Sequence, residues 1–353
     1  TSEFLWQEGH TAHQTKDEAT KEALQMLDIY EEFTEKIAAV KVIKGTKSEI
    51  EKFAGAKVTY SIEAMMLDKK ALQAGTSHEL GQNFSKAFEI QYSDENNNLA
   101  HPFQTSWGVS TRLIGMIIMA HGDDQGLKLP PAIAPTQVVI IPIIPKNADS
   151  EKILKLANQI KEMLSDLRVH LDDREEVSPG FKFNEWELKG VPIRLELGPK
   201  DIENNSVVVA RRDIENSKTS IPINTLDTEI TSLLDTIQNE MLKVSEQFLT
   251  DNTSHAESMD ELLKQLQDSD GFVSCYWSES KEDELRVKEQ TKATIRCYPL
   301  EHTNEMSSVN KPEIQGKFAI FSKSYIFFAF SIRCAVNFPK PLVVVVVVVL
   351  FEM

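Results

Sequence analysis

Residues 105–126 read TSWGVSTRLIGMIIMAHGDDQG, and within them a strand-like segment passes directly into an apolar helical pattern. The change falls at Arg112, behind a glycine and three small or β-branched residues. The spacing of Ile114, Ile117 and Ile118 predicts that one face of the helix packs into a core. An arginine at such a point, considered alone, is most simply explained as half of a surface ion pair.

The size and charge of the chain exclude some classes of function. It has 353 residues, of which 41% are hydrophobic and 26% are charged, which predicts a globular protein of two or three domains. The formal net charge of −16 argues against general electrostatic binding to DNA, RNA or an anionic membrane, because that attraction grows with the number of phosphates neutralised. An RNA partner would therefore have to bind a local patch of positive charge.

The cysteines and the start of the chain bear on its compartment. Cys275, Cys297 and Cys334 are widely spaced and form no CxxC pair, which fits a reducing compartment. No basic segment followed by an apolar run opens the sequence, so we predict no signal peptide and expect a cytoplasmic protein. We also expect that the natural beginning is missing, because the chain starts without methionine in the middle of a pattern.

The last segment, residues 326–353, is atypical. It is strongly apolar, yet Arg333 and Pro339 divide it into pieces shorter than the roughly 20 residues that span a bilayer, so we predict no membrane helix. The run from Val343 to Val349 lacks the alternation of an ordinary strand. Such a run indicates either a mistaken reading frame or intron, or a buried or aggregation-prone strand.

The first 130 residues predict helices packed on antiparallel strands. Thr15 and Glu18 form a capping box before an amphipathic helix from about Lys16 to Val40. KVTYSIEAMML, residues 57–67, alternates as a half-buried antiparallel strand does, and further strands are expected around FEIQY and QTSWGV.

A proline-rich joint, LPPAIAPT at 129–136, predicts the first domain boundary. Beyond it, QVVIIPII is a continuous β-branched run, typical of a strand covered on both faces. Strands then alternate with helices, which predicts an α/β domain with a largely parallel sheet over 135–250. Residues 251–325 predict a third, small, acidic α+β domain.

Two polar segments are candidates for chemistry. FLWQEGHTAH, residues 4–13, places His10 and His13 three residues apart, but no HExxH or CxxC accompanies them, and ordinary hydrogen-bonded histidines are the better explanation. QAGTSHELGQNFSK, residues 73–86, is either a solvated loop or a close backbone approach to a nucleotide or small polar substrate.

The order of these segments carries more information than any one of them. EFLWQEGHTAH, QAGTSHELGQNFSKAFEI, SWGVSTRLIG with AHGDDQGLKLPPAIAP, and SPGFKFNEWELKGVPIRLELGPKD together resemble the prolyl-tRNA synthetases of the archaeal and eukaryotic type, a family of class II aminoacyl-tRNA synthetases. The resemblance covers residues 3–325. It implies part of a class II antiparallel-sheet catalytic domain over 1–130, an α/β anticodon-binding domain over 135–250 and a zinc-binding-like C-terminal domain over 251–325.

The resemblance also implies an activity and its residues. The family activates proline with ATP, which brings Mg²⁺, and transfers the prolyl group to tRNA(Pro). Arg112 is implied to stack on the adenine and reach the γ-phosphate, which suits a planar, permanently charged guanidinium. The implied ATP-binding residues are Gln73, Thr76, Ser110 and Arg112. The implied proline pocket, which needs an apolar wall and a carboxylate, contains Trp6, Glu8, His10, His78 and Thr111.

Three charged residues of the second domain match anticodon-binding positions of the family, namely Glu187, Arg194 and Lys200. A carboxylate can accept hydrogen bonds from the Watson–Crick edge of guanine, and an arginine can donate to O6 and N7. Without the resemblance, a solvated strand edge would be the favoured explanation of these charges.

The chain departs from the family pattern in ways that leave alternatives open. Motif 1 and the motif 2 arginine are absent, so we expect little adenylation from this chain alone, although the complete enzyme should be a homodimer. Only Cys275 and Cys297 remain where zinc would need four ligands, so no metal site is expected. The family chain ends in a tyrosine that matches Tyr325. The alternatives are a non-catalytic tRNA-binding or regulatory fragment and a sister class IIa synthetase for another amino acid, such as threonine.

Overall fold

The computed structural model describes residues 5–145 and 148–325, which divide into a first region (5–130), a second region (135–250) and a third region (251–325). The predictions for residues 326–353 lie outside the described residues. Each helix within the described residues falls short of the length or the apolarity that a bilayer crossing requires.

The first region is a sheet with helices. Its elements are β1 (Trp6–His13), α1 (Lys16–Glu32), a π-helix (Phe33–Ile37), β2 (Val42–Thr46), β3 (Val58–Met65), β4 (Ala71–Gly81), α2 (Asn83–Ala87), β5 (Tyr92–Ser93), β6 (Leu99–Ala100), β7 (Phe103–Ser110) and α3 (Arg112–His121). The predicted capping box opens α1, where Thr15 Oγ1 accepts from the Glu18 amide at 3.2 Å. The α-helix does not continue to Val40 as predicted. A π-helix follows α1 instead. There the Thr34 hydroxyl donates to the carbonyl of Tyr30, and so competes for an acceptor that an α-helix would use for a backbone amide.

The strands of this region differ from the sequence pattern in three places. β3 is buried on both faces rather than half-buried, because α1 covers Tyr60 and Ile62 while Ser61 and Glu63 are enclosed on the other side. Residues 73–86 are not a loop, since β4 runs through most of them and α2 follows. Only two residues near FEIQY, Tyr92 and Ser93, form a strand.

The predicted buried face of helix α3 is correct for Ile117 and wrong for Ile114. Met116, Ile117 and His121 are buried, whereas Ile114 is 42% exposed. The buried side chains therefore lie on a face that includes Ile117 but is rotated away from Ile114.

The second region is an α/β unit with its own core. Its elements are β8 (Val138–Pro142), α4 (Ser150–Met163), β9 (Val169–Leu171), α5 (Pro179–Leu188), β10 (Ile193–Leu197), α6 (Pro199–Glu203), β11 (Ser206–Arg211), β12 (Thr219–Pro222), a 3₁₀-helix (Ile223–Thr225) and α7 (Leu226–Asp251). In the described chain this sheet has the order β12-β11-β10-β8-β9. It is mixed rather than largely parallel, because β11 and β12 run antiparallel to their neighbours. The link from β10 to β11 holds only the five-residue α6, which is too short for a parallel crossover.

The third region continues the sheet of the first. Its elements are β13 (Thr253–His255), α8 (Met259–Asp268), β14 (Phe272–Trp277), α9 (Lys281–Thr291), β15 (Ala293–Pro299), β16 (Glu305–Ser307) and β17 (Gln315–Lys323). Within the described residues, both regions form one ten-stranded sheet in the order β1-β7-β4-β3-β2-β15-β17-β14-β13, with β16 beside β17. At the join, Gly45 pairs with Pro299. A Cβ on Gly45 would lie 2.5 Å from the Tyr298 carbonyl oxygen, so the close approach requires glycine.

A buried ion cluster lies beside this join. Glu63 of β3 accepts from Lys47 Nζ at 2.6 Å, from Arg296 Nε and Nη2 at 3.0 and 2.9 Å, and from Ser61 Oγ at 2.9 Å. Burial alone would raise the pKa of Glu63, but the two cations outweigh it and hold that pKa below its ordinary value. The cluster therefore contains an ionised carboxylate between the first and third regions.

Candidate active site

Three neighbouring strands, β1, β7 and β4, bring most of the predicted ligand-binding residues onto one face. Directly paired residues of antiparallel strands project to the same side. The paired rows are Glu8–Gly108–Thr76 and His10–Ser106–His78. Helix α1 covers the opposite face, where Ser77 Oγ donates to the Ala23 carbonyl at 2.7 Å. The rows therefore lie on the open face of the sheet, and Gly108 leaves a gap between two polar side chains.

Arg112 begins α3 at the end of this face. Its Nη1 donates to the Gln73 carbonyl at 2.7 Å, and its amide donates to Ser110 Oγ at 3.3 Å. Burial lowers the pKa of Arg112 to about 10, so it remains a cation at neutral pH. The structure thus brings together Gln73, Ser110 and Arg112, with Thr111 between the last two.

His78 is held from behind by two residues that the sequence did not indicate. Its Nδ1 lies 3.0 Å from Thr59 Oγ1, and the Phe53 ring lies 5.0 Å from the imidazole, centroid to centroid. Burial lowers the pKa of His78 to about 4, so the ring is neutral at pH 7. Thr59 is one of several polar residues in an alternating segment. Nothing in the sequence therefore marks it as the residue that contacts His78.

The residues of β1 lie at the edge of the sheet. Trp6 pairs with Ser110, and Glu8 Oε1 lies 3.1 Å from His10 Nε2. His13 contacts Thr11 Oγ1 at 2.7 Å on the other face of the strand, so His10 and His13 do not converge. The hydrogen-bonded state favoured for these histidines is the one observed.

The two cysteines of the third region are buried free thiols. Burial raises the pKa of the Cys297 thiol to about 12, and Cys275 is enclosed in the same way. Among residues 5–145 and 148–325, no three His, Cys, Asp or Glu side chains are grouped as metal ligands. The absence of a zinc site stays a prediction.

A charged cavity of about 260 Å³ is lined mainly by the second region, with Asp123 and Gln125 of the first region at its border. Glu187 and Arg194 line it together with Lys218, whereas Lys200 on α6 does not. The Arg194 guanidinium lies 4.5 Å from the centre of the Phe183 ring, and its Nε donates to Glu196 at 3.1 Å. The structure therefore brings together two of the three predicted anticodon residues.

Arg212 joins this cavity to the first region, and no motif predicted a role for it. Its Nη2 and Nη1 donate to the two carboxylate oxygens of Asp123 at 2.5 and 3.0 Å, and its Nε donates to the Glu187 carbonyl at 3.0 Å. The Arg212 hydrogen bonds hold the pKa of Asp123 well below its usual range. The adjacent charges in ARRD, residues 210–213, are the only sequence signal of this contact.

Comparisons with known protein families agree with this architecture. Residues 1–121 match the tRNA synthetase class II core domain of the G, H, P, S and T type, and residues 137–233 match an anticodon binding domain. Residues 259–325 match the C-terminal domain of prolyl-tRNA synthetase. These matches place the chain among the class II aminoacyl-tRNA synthetases, with a class II core followed by anticodon-binding and C-terminal domains.

Individual relatives indicate which family of class II synthetases the chain resembles. The chain is 53% identical over 302 residues to a proline-tRNA ligase of Natranaerobius thermophilus, covering 85% of this chain and 62% of the relative. It is 50% identical over 336 residues to the chloroplastic/mitochondrial proline-tRNA ligase of Arabidopsis thaliana, covering 92% and 61%. The crystal structure of Cryptosporidium parvum prolyl-tRNA synthetase with L-proline and AMP is similar at a TM-score of 0.85 and 41% identity, covering 91% of this chain and 70% of that one.

The chain belongs to the prolyl-tRNA synthetase family. This confirms the resemblance found in the sequence. The chain spans about three fifths of the length of the curated relatives it matches.

Proposed function

We propose that this chain carries the binding site for ATP-dependent activation of proline to prolyl-adenylate, and the anticodon-binding part of a proline-tRNA ligase. The observation that carries the proposal is the alignment of Glu8, Thr76 and His78 on one open face that ends at Arg112. The names of the relatives, and the L-proline and AMP bound to the Cryptosporidium enzyme, support the choice of substrates.

Activation of an amino acid asks little acid–base chemistry of the protein. The proline carboxylate attacks the α-phosphorus of ATP, the bond to the β-phosphate oxygen breaks, and pyrophosphate leaves. The tRNA terminal ribose hydroxyl then attacks the prolyl carbonyl, and AMP leaves. Both steps depend on positioning and on cations near phosphate charge, so no serine, cysteine or histidine nucleophile is needed.

The proline ligand has two features that the open face complements. Glu8 supplies a carboxylate for the secondary ammonium, and Trp6, which is largely exposed on the same strand, supplies apolar surface for the pyrrolidine ring. His10, His78 and Thr111 border the same space.

The ATP ligand is assigned to the end of the face near α3. Arg112 is the cation for phosphate and the plane for adenine, and Ser110, Thr76 and Gln73 surround it. We infer that Mg²⁺ enters with ATP and is held mainly by its phosphate oxygens, as is usual for nucleotide-bound magnesium.

The tRNA(Pro) anticodon is assigned to the cavity of the second region. Glu187 and Arg194 line that cavity and supply the acceptor and the forked donor that guanine requires. Lys200 is outside the cavity and would contact a neighbouring nucleotide or phosphate. A homodimer and a cytoplasmic location are further parts of this proposal.

Titration with nonhydrolysable adenylate analogues tests the proposal on the chain itself. We expect the prolyl analogue to bind at least about tenfold more tightly than the threonyl analogue, because only the former fits the Trp6 and Glu8 pocket. A preference for threonyl would indicate the sister synthetase. Loss of both, with tRNA(Pro) binding retained, would indicate the non-catalytic tRNA-binding alternative.

A further inference from the structure

We propose that Thr59 is a positioning residue that fixes the tautomer of His78, with the proton on Nε2, so that His78 donates a hydrogen bond to an oxygen of the bound amino acid. The tautomer follows from contacts within the chain. The ligand oxygen, on the carboxylate side of the amino acid, rests on the proposed function.

The contacts form a short relay that begins in the loop between β2 and β3. The Phe53 amide donates to Thr59 Oγ1 at 3.0 Å, and Thr59 Oγ1 lies 3.0 Å from His78 Nδ1. Thr59 is only 3% exposed, so solvent cannot satisfy its hydroxyl. The relay therefore joins three polar groups through one buried hydroxyl.

The relay has one chemically consistent direction. The Thr59 hydroxyl has a single proton, and within the described residues the only acceptor that it contacts is His78 Nδ1. A proton on Nδ1 would leave the buried hydroxyl proton without an acceptor, which costs roughly 1–3 kcal/mol. Nδ1 therefore accepts, and the imidazole proton is on Nε2.

The donor nitrogen is available to a ligand. Nε2 makes no hydrogen bond within residues 5–145 and 148–325, and it is not a buried polar atom. His78 lies on the open face, in the row with Ser106 and His10, and the Phe53 ring packs on the imidazole at an interplanar angle of 40°. The ring is thus held from one side and open on the other.

The direction of the relay determines what His78 can recognise. A neutral imidazole with a proton on Nε2 donates to oxygen, whereas the other tautomer would accept from the ammonium of the amino acid. Glu8 lies one row away, and in the proposed function it provides the acceptor for that ammonium. The lowered pKa of His78 keeps the ring uncharged, so it does not repel the ammonium. His78 and Glu8 therefore recognise opposite ends of the amino acid.

Nitrogen-15 NMR of the histidine-labelled chain tests the tautomer without any requirement for activity. The His78 signals are assigned by their loss in His78→Gln. In the wild-type chain at pH 7 we expect an unprotonated Nδ1 and a protonated Nε2. Thr59→Val should give a mixture of tautomers, and Thr59→Ser should restore the wild-type pattern.

A matched control separates this effect from general loss of a buried hydroxyl. Thr291 is also buried, donates to the Val287 carbonyl at 2.7 Å and accepts from the Ala293 amide at 3.1 Å. Thr291→Val should leave the His78 tautomer unaltered. A protonated Nδ1 in the wild-type chain, or an unaltered Nε2–H tautomer in Thr59→Val, would overturn the assignment.

Titration with the prolyl-adenylate analogue tests the ligand. We expect the His78 Nε2 signal to move on binding, and the affinity to fall about tenfold in Thr59→Val and to recover in Thr59→Ser. If the tautomer is as stated but the analogue leaves the His78 signals unmoved, the tautomer assignment stands and the choice of ligand is wrong.

Discussion

The guanidinium of Arg112 is tied to the protein through Nη1, which donates to the Gln73 carbonyl at 2.7 Å. This contact fixes the plane of the group at the first residue of α3. A planar cation held in this way can stack on a purine while it donates to phosphate, whereas an ammonium can only donate to the phosphate.

Substitution of Arg112 should therefore weaken nucleotide binding, and alanine should weaken it more than lysine. We expect Arg112→Ala to lower the affinity for the prolyl-adenylate analogue by at least about tenfold, since a hydrogen bond to a charged group contributes roughly 1.5–3 kcal/mol. Arg112→Lys should recover less than half of that free energy, because it keeps the charge and loses the plane. Calorimetric titration measures both.

The control for these variants is Arg286→Ala, which removes an exposed arginine paired with Asp283 at 3.3 Å. Its affinity for the analogue should stay within about twofold of the wild type. Equal affinity in Arg112→Ala and Arg286→Ala would show that Arg112 has only a structural role.

His78 gives the protein a specific acid sensitivity. Its pKa is about 4 in the folded state, against an ordinary value of 6.5, so the unfolded chain binds the proton first. The contribution to stability is therefore complete above pH 6.5 and is lost as the pH falls towards 4. From pH 7 to pH 5 this one group should lower the free energy of unfolding by about 2 kcal/mol.

Urea unfolding of the wild type and of His78→Gln at these two pH values isolates the effect. The variant should lose about 2 kcal/mol less than the wild type on acidification. Identical losses would mean that His78 titrates normally in the folded protein.

The individual site residues were predictable only in part. Arg112, Gln73 and Ser110 follow from the resemblance, and the structure brings them together. Thr59 does not, because its role depends on the residue that it faces on the next strand and not on its neighbours in sequence. Lys200 is the opposite case. It matches a position of the family motif, yet it lies outside the cavity lined by Glu187.

The segment that follows α3 connects the first and second regions through backbone contacts. The amide of Leu127 donates to the Leu188 carbonyl at 3.0 Å, at the end of α5 and next to Glu187. Gly126 adopts φ +129°, and a Cβ there would lie 2.6 Å from Leu188 backbone atoms. The chain can pass this close to α5 only with glycine at this position.

We expect Gly126→Ala to destabilise the protein by more than about 2 kcal/mol, because it combines a disfavoured φ with a backbone clash. Gly115→Ala in α3 is the control, since its Cβ would meet nothing within 4 Å. That change should be neutral or stabilising by up to about 1 kcal/mol. Urea unfolding compares the two, and similar effects would show that the segment moves freely past α5.

Helices were easier to predict than strands. The capping box and stripe of α1 depend on local spacing, and both are observed. Strand β4 looked like a loop because its open face carries polar residues such as Thr76 and His78, while the residues facing α1 are small. Strand β11 runs antiparallel to β10 because the link between them is short, and the residues of the strand itself do not indicate this direction.

The buried ion cluster of Glu63, Lys47 and Arg296 ties the third region to the first. Each carboxylate oxygen of Glu63 accepts from a cation, and all three side chains are nearly inaccessible to solvent. Removing the carboxylate would leave two buried cations without their counter-ion. Removal of one partner from a buried ion pair typically costs about 3–5 kcal/mol.

Glu63→Gln should accordingly lower the free energy of unfolding by about 3–5 kcal/mol. The matched control is Glu32→Gln, which breaks an exposed pair with Lys36 of 2.7 Å and should leave the free energy of unfolding close to that of the wild type. Chemical unfolding followed by circular dichroism measures both. A loss below about 1 kcal/mol in Glu63→Gln would show that the cluster does not hold the regions together.

The sequence could not reveal that the third region shares a sheet with the first. The pairing of Thr46 with Tyr298 leaves no local pattern, because each strand satisfies its own alternation. Glu63 and Arg296, which pair across the join, are the charged residues of their strands. Only their proximity in space explains why they are buried.

The join between β2 and β15 also has a consequence for synthesis of the protein. When β2 leaves the ribosome, its partner β15 is still more than two hundred codons away. At roughly 5–20 residues per second, the outer edge of the nascent sheet would be exposed for ten seconds or more. Such an edge can recruit strands from other nascent chains. Translation speed and chaperone capture in that interval should therefore govern how much of the newly made protein reaches the native state.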